Sequence, residues 1–146
     1  MIDKKDYNFA VGRRKEAVAR IRLYTTLKES LVIGTENVKK GDIFVNNKKI
    51  EDYFRGFTSK AKYEEPLRIT NTLDKYAFTV VVEGGGQMSQ MDAFIHALSR
   101  VLSKMDDKNK QILKKKGFLT RDARVRERRK VGMGGKARRK RQSPKR

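Results

Sequence analysis

Near the start of the chain, apolar and polar residues alternate with a period of two. FAVGRRKEAVARIRLY (9–24) reads as one long strand. From Glu16 onward Ala17, Ala19, Ile21 and Leu23 fall on one face, with Val18, Arg20, Arg22 and Tyr24 on the other. Gly12 precedes the basic triplet Arg13, Arg14 and Lys15, where it would let the strand bend. Residues 25–41 are rich in Lys, Glu and Gly and read as a loop or hairpin with a short strand at Leu31–Ile33. DIFVNNKKI (42–50) reads as a further strand ending in an Asn-Asn turn, and IEDYF (50–54) as a helical turn. Pro66 fits the first turn of a short helix, where its missing N–H has no partner to lose; the β-branched Ile69, Thr70 and Thr72 work against that helix. AFTVVVE (77–83) is the clearest buried strand.

The period then changes to that of a helix. In GGGQMSQMDAFIHALSRVLSKM (84–105), Met91, Ile95, Leu98, Leu102 and Met105 share a stripe that Phe94 and Val101 widen. Ser89 and Asp92 have the spacing of a capping box. DDKNKQILKKKG (106–117) predicts a second helix, with acids at its start, Lys114, Lys115 and Lys116 at its end and Gly117 as the stop. Apolar periodicity ends at Gly117. Two parts are therefore expected: a globular domain over 1–117 and a basic extension over 118–146.

Charge changes this picture most. The 146 residues carry 37 basic and 17 acidic side chains, a formal net of +20. Residues 117–146 hold 13 basic against two acidic side chains, and the last 19 hold ten basic and none acidic. Both parts are basic, so the domain itself seeks a polyanion. Nucleic acid is the first candidate and an anionic membrane surface the lesser one. The final stretch contains only Val131, Met133 and Ala137 as apolar residues, too few for a core. It is expected to order only by neutralising phosphates, and 19 extended residues would reach up to roughly 60 Å.

The chain has no Cys and a single His, His96. Disulfides, thiolate nucleophiles and cysteine metal sites are excluded, and His96 alone reads as a packed or surface residue. Asp106 and Asp107 read as helix capping rather than paired catalytic carboxylates. Strand, triple Gly and helix could cradle phosphate, but Gly84–Gly86 match neither G-x-G-x-x-G nor the P-loop pattern. A tight turn with close packing is the first reading, contact with an RNA backbone the second and a mononucleotide site a distant third. No catalytic constellation, metal site or cofactor is expected. No apolar run approaches 18 residues, and MIDKKDYNFA lacks the apolar core of a secretory signal, so the cytoplasm is the expected location. GFLTRDARVRERRKVG (117–132) interleaves Arg with Val, Leu and Phe, which suits bidentate phosphate contacts and stacking on bases. As an amphipathic helix, RDARVRERRK would present Arg121, Arg124, Arg128 and Arg129 outward.

Three stretches in order resemble one family: AVGRRKEAVARIRLY, VVVEGGGQMSQMDAFIHALSRVL, and GFLTRDARVRERRKVG with KARRKRQSPKR. The chain is identified as a member of the family of small-subunit ribosomal protein number nine, in its bacterial type. The resemblance implies an α+β fold, a small mixed β-sheet with helices packed on one side, like the second domain of small-subunit protein five. It also implies a left-handed βαβ crossover, where general rules favour the right hand. It further implies a structural protein of the small-subunit head, without enzymatic activity, whose partners are small-subunit rRNA, the P-site tRNA and neighbouring head proteins. Carried onto this sequence, Arg13, Arg14, Lys15, Arg20, Arg22, Arg121, Arg124, Arg126, Arg128, Arg129, Lys130, Lys136, Arg138, Arg139 and Lys140 are the expected rRNA contacts. Lys145 and Arg146 are the tRNA-facing pair. The chain departs from the family pattern at Met88 and Ser89, at Gly134–Gly135, at Ser143–Pro144 and in the long 28–40 segment. A non-ribosomal nucleic-acid binder and a ribonuclease P protein-like RNA-binding subunit are the competing readings.

Overall fold

The computed structural model describes residues 7–25, 31–33 and 36–128. Arg129, Lys130, Lys136, Arg138, Arg139, Lys140, Lys145 and Arg146, together with the departures at Gly134–Gly135 and Ser143–Pro144, lie outside the described residues.

The expected long N-terminal strand is two strands. β1 (Tyr7–Arg14) and β2 (Ala17–Tyr24) pair antiparallel from Tyr7–Tyr24 to Arg14–Ala17. Lys15 and Glu16 make the turn, with Lys15 at φ 51°. Neither is a customary turn residue, so the alternation runs on without a visible break. Gly12 does not bend the strand; it lets α3 approach, as shown below. The short β3 (Leu31–Ile33) and β4 (Glu36–Val38) form their own antiparallel hairpin. β5 (Ile43–Val45) and β6 (Lys48–Lys49) are joined at Asn46 and Asn47, both left-handed at φ 48° and 63°, as a two-residue hairpin turn requires. β7 (Ala77–Glu83) pairs antiparallel with β2 and parallel with β5. The main sheet is thus mixed and five-stranded, in the order β1-β2-β7-β5-β6.

Among the described residues there are four helices: α1 (Ile50–Tyr53), α2 (Phe57–Ile69), α3 (Gln87–Met105) and α4 (Asp107–Lys115). α2 begins nine residues before Pro66, which lies inside it rather than in its first turn. Ion pairs at helical spacing hold this exposed helix, Lys60 with Glu64 at 3.8 Å and Glu64 with Arg68 at 2.7 Å. Among its described side chains the buried ones are Tyr63, Pro66 and Leu67, too sparse to show as a period. α4 follows expectation: Asp106 caps it by accepting from Lys108 N at 3.0 Å, and Gly117 at φ 79° ends it.

All four helices lie on one side of the sheet and share a core with it. Ala17, Ala19, Ile21 and Leu23 of β2 and Phe78, Val80 and Val82 of β7 meet Phe54, Tyr63, Leu67, Phe94, Leu98, Leu102 and Leu113. α3 lies against β1 and β2. Its inward face includes Ala93 and Ala97, which lie outside the stripe of large apolar residues; Ile95 and Met105 are only partly buried. The small residues are needed because a side chain on Gly12 would strike Ala93 O and Ala97 N. α3 also covers the outer edge of the sheet, as Arg100 and Lys104 donate to Val11 O and Phe9 O of edge strand β1. Past α4, Phe118 and Leu119 still pack on this core.

Candidate nucleic-acid interface

Strand alternation sends the other residues of β1, β2 and β7 to the face without helices. One end of that face is closed. Tyr24, Phe44 and Ala77 are buried there with Val38 of the β3–β4 hairpin, and Tyr7 packs beside them. Tyr24 was expected to be the aromatic on the basic face; it lies on that face but is only 4% exposed.

The other end is open. Pairing places Phe9 beside Arg22, Val11 beside Arg20 and Arg13 beside Val18, and continues Arg20 to Val81 and Val18 to Glu83. Phe9 is 43% and Val81 49% exposed there. Arg22 lies 5.1 Å over the Tyr7 ring, which holds its guanidinium against the face. Arg20 meets Glu83 at 2.9 Å, but both side chains are about half exposed, and such a pair yields readily to a phosphate. Arg13 is exposed, and Lys15 marks the hairpin tip. Lys49, paired with Phe44 of β5, adds a cation to the same face. Phe9, Val81 and Lys49 were missed from sequence: the face of Phe9 shows only once the turn at Lys15 is placed, and those of Val81 and Lys49 depend on strand pairings that no local pattern shows.

The remaining expected contacts fall elsewhere. Arg121, Arg124, Arg126 and Arg128 are exposed on a segment without helix or strand, so the amphipathic helix contemplated for this stretch does not form over 121–128. Arg14 points to the helix side, its side chain only 12% exposed. His96 is half-buried and accepts from Arg13 N at 3.5 Å. Burial first, then the nearby Arg100 and Arg121, push its pKa below the ordinary value, against a hydrogen bond to the Leu119 backbone that raises it.

Gly84 and Gly85 serve a tight turn. Gly84 and Gly85 have φ 73° and 63°, and a Cβ on Gly85 would lie 3.0 Å from the Ala17 side chain. Gly86 caps α3 without a side-chain hydrogen bond, so the capping box expected at Ser89 and Asp92 is not used; Asp92 meets Arg14 instead. Two clefts, one lined by Tyr63 and Asp74 and the other by Arg14 and His96, bring no catalytic set together, and among the described residues no group of three His, Asp or Glu could hold a metal ion.

The family model described as ribosomal protein S9/S16 matches residues 12–146. The small ribosomal subunit protein uS9 of Maridesulfovibrio salexigens is 46% identical over 131 residues, covering 90% of this chain and 91% of that protein. The chain belongs to this family. It is a structural, non-enzymatic protein of the small ribosomal subunit, of bacterial type. Membership sets aside both competing readings, the non-ribosomal binder and the ribonuclease P-like subunit. The matched span takes in the open sheet face from Gly12 onward and the whole basic extension.

Proposed function

We propose that this protein binds small-subunit rRNA in the head through two basic surfaces and meets the P-site tRNA with the end of its extension. The open face supplies Arg13, Arg20 and Arg22 around Phe9 and Val81. The extension supplies Arg121, Arg124, Arg126 and Arg128 and continues through Arg129, Lys130, Lys136, Arg138, Arg139 and Lys140 to the tRNA-facing Lys145 and Arg146. Residues 1–117 act as the rRNA-binding body and 118–146 as the reaching part, with neighbouring head proteins as further partners. The same reading takes the fold as one of the protein-five second-domain kind, with a left-handed β5–β7 crossover.

The observation that carries the proposal is the open face itself. Exposed apolar side chains flanked by guanidinium groups are costly in water and suited to RNA, where bases stack on apolar surfaces and arginines take phosphates. The test is salt dependence. With about ten phosphates neutralised, log K for small-subunit rRNA is expected to fall with log salt at a slope of roughly −7 to −9. Replacing Arg13, Arg20 and Arg22 by Ala should make that slope shallower by about two to three. A triple variant with the parent slope would remove the open face from the interface.

A further inference from the structure

Arg14 stands on the opposite face of β1 from Arg13, in line with Ala10 and Gly12, and three groups meet its guanidinium. Nη1 donates to Arg124 O at 2.7 Å, Nη2 lies 3.0 Å from Asp122 Oδ2, and Nε lies 3.6 Å from Asp92 Oδ2. Asp92 belongs to α3, whereas Asp122 and Arg124 belong to the extension. Asp122 is gripped from its other side as well, accepting from Arg124 N at 3.0 Å and Arg124 Nη2 at 2.6 Å. These hydrogen bonds and the two cations hold its carboxyl far below the usual carboxylate range. A second fastening lies just upstream, where Phe118 and Leu119 pack on the core.

We infer that Arg14 is a positioning residue: it clasps the root of the basic extension to the body, sets where the extension departs, and takes no phosphate itself. The inference rests on the reading that the extension engages rRNA. Two carboxylates already oppose this one guanidinium, so a phosphate arriving here would be repelled by Asp92 and Asp122. A planar fork can serve three acceptors in fixed directions, which the point charge of a lysine cannot. Fastening the root before binding removes part of the ordering cost that a free extension would meet on the RNA.

Asp122→Asn gives a sharp test, because it makes the chain more positive by one charge. Coulomb attraction alone predicts tighter rRNA binding; the clasp predicts weaker binding. In 15N relaxation on the full free chain, order parameters of Thr120–Arg124 are expected near about 0.85 and should fall below about 0.6 in Asp122→Asn and in Arg14→Lys. The double variant should lose little more than either single one, since both break the same contact. In filter binding to small-subunit rRNA, both single variants should bind roughly three- to tenfold more weakly at an unchanged salt slope, as a returned ordering cost requires. Unchanged order parameters, or tighter binding by Asp122→Asn, would overturn the inference. So would a slope that falls by about 0.7–0.9 in Arg14→Ala, the mark of a lost phosphate contact. Replacing Arg121, Arg126 and Arg128 by Ala tests the underlying reading separately. If their loss leaves rRNA affinity and slope intact, the extension does not engage RNA and the positioning role falls with it, while the relaxation result still decides whether the contact fastens the root.

Discussion

His96 sits where β1, α3 and the start of the extension meet, and its protonation should be felt by all three. Its pKa is depressed by burial and by Arg100 and Arg121, so in the native state it favours the neutral form. Because the folded value lies below the unfolded one, the unfolded chain takes up the proton first as pH falls. The stability contributed here is complete above the ordinary value of 6.5 and is lost as pH falls through the folded pKa. Urea midpoints at pH 7.5 and pH 5.5 should therefore differ in the direction of lower stability in acid, and His96→Gln should reduce that difference. An equal difference in the variant would place the titration elsewhere. Reading His96 as a packed residue was within reach of the sequence, since a lone His without Cys or carboxylate partners has little else to do. Separating Arg13 from Arg14 was not. Both are cations in one triplet, and only strand parity, fixed by a turn at two unremarkable residues, sends one to the open face and the other to Asp92 and Asp122.

Between elements, the closest approach is that of α3 to the β1–β2 hairpin. A methyl group on Gly12 would strike Ala93 O and Ala97 N and come within 2.9 Å of the Ala97 side chain. Two of these three atoms are helix backbone, which cannot turn aside as a long side chain can. Gly12→Ala should therefore cost about 1–3 kcal/mol, towards the upper end of that range for overpacking. The measurement is a fall in urea midpoint at an unchanged m-value. An unaltered midpoint would mean that α3 can lift off the hairpin at no cost. α3 itself was plain in the sequence because its large apolar residues, Met91 to Met105, keep helical spacing over about four turns. The turn after β5 was plain because Asn46 and Asn47 accept left-handed backbone, whereas the return of Lys48–Lys49 as β6 was not expected. α2 was legible only at its end. Proline drew attention to the wrong turn, and the ion pairs that hold the helix leave no apolar period to read.

For the whole molecule, the proposed reading separates two demands, rRNA binding by the open face and the bulk of the extension, and tRNA binding by its end. Deleting Lys145 and Arg146 leaves 35 of the 37 basic residues for rRNA, so subunit yield should barely change. Each lost charge-assisted contact is worth about 1 kcal/mol, so P-site tRNA should bind the isolated small subunit roughly ten- to thirtyfold more weakly. Filter binding of tRNA to subunits assembled with the shortened protein measures this. Unchanged tRNA affinity alongside failed incorporation would make the terminal pair an assembly element. At this scale the polyanionic partner was legible from charge alone and the mixed sheet with helices on one side from the family resemblance, whereas the second small core under the β3–β4 hairpin was not. Tyr24, Phe44, Ala77 and Val38 come from four separate strands and share no local pattern. The one-sided helix layer also has a consequence for how the body can be contacted. Consecutive residues of a single strand, Arg13 and Arg14, leave it in opposite directions, one towards bare sheet and the other towards the layer where the extension is rooted. On the proposed reading, with rRNA on the open sheet face and the extension leaving from the helix side, the body joins what lies before it to what lies behind, and its thickness sets the gap between them.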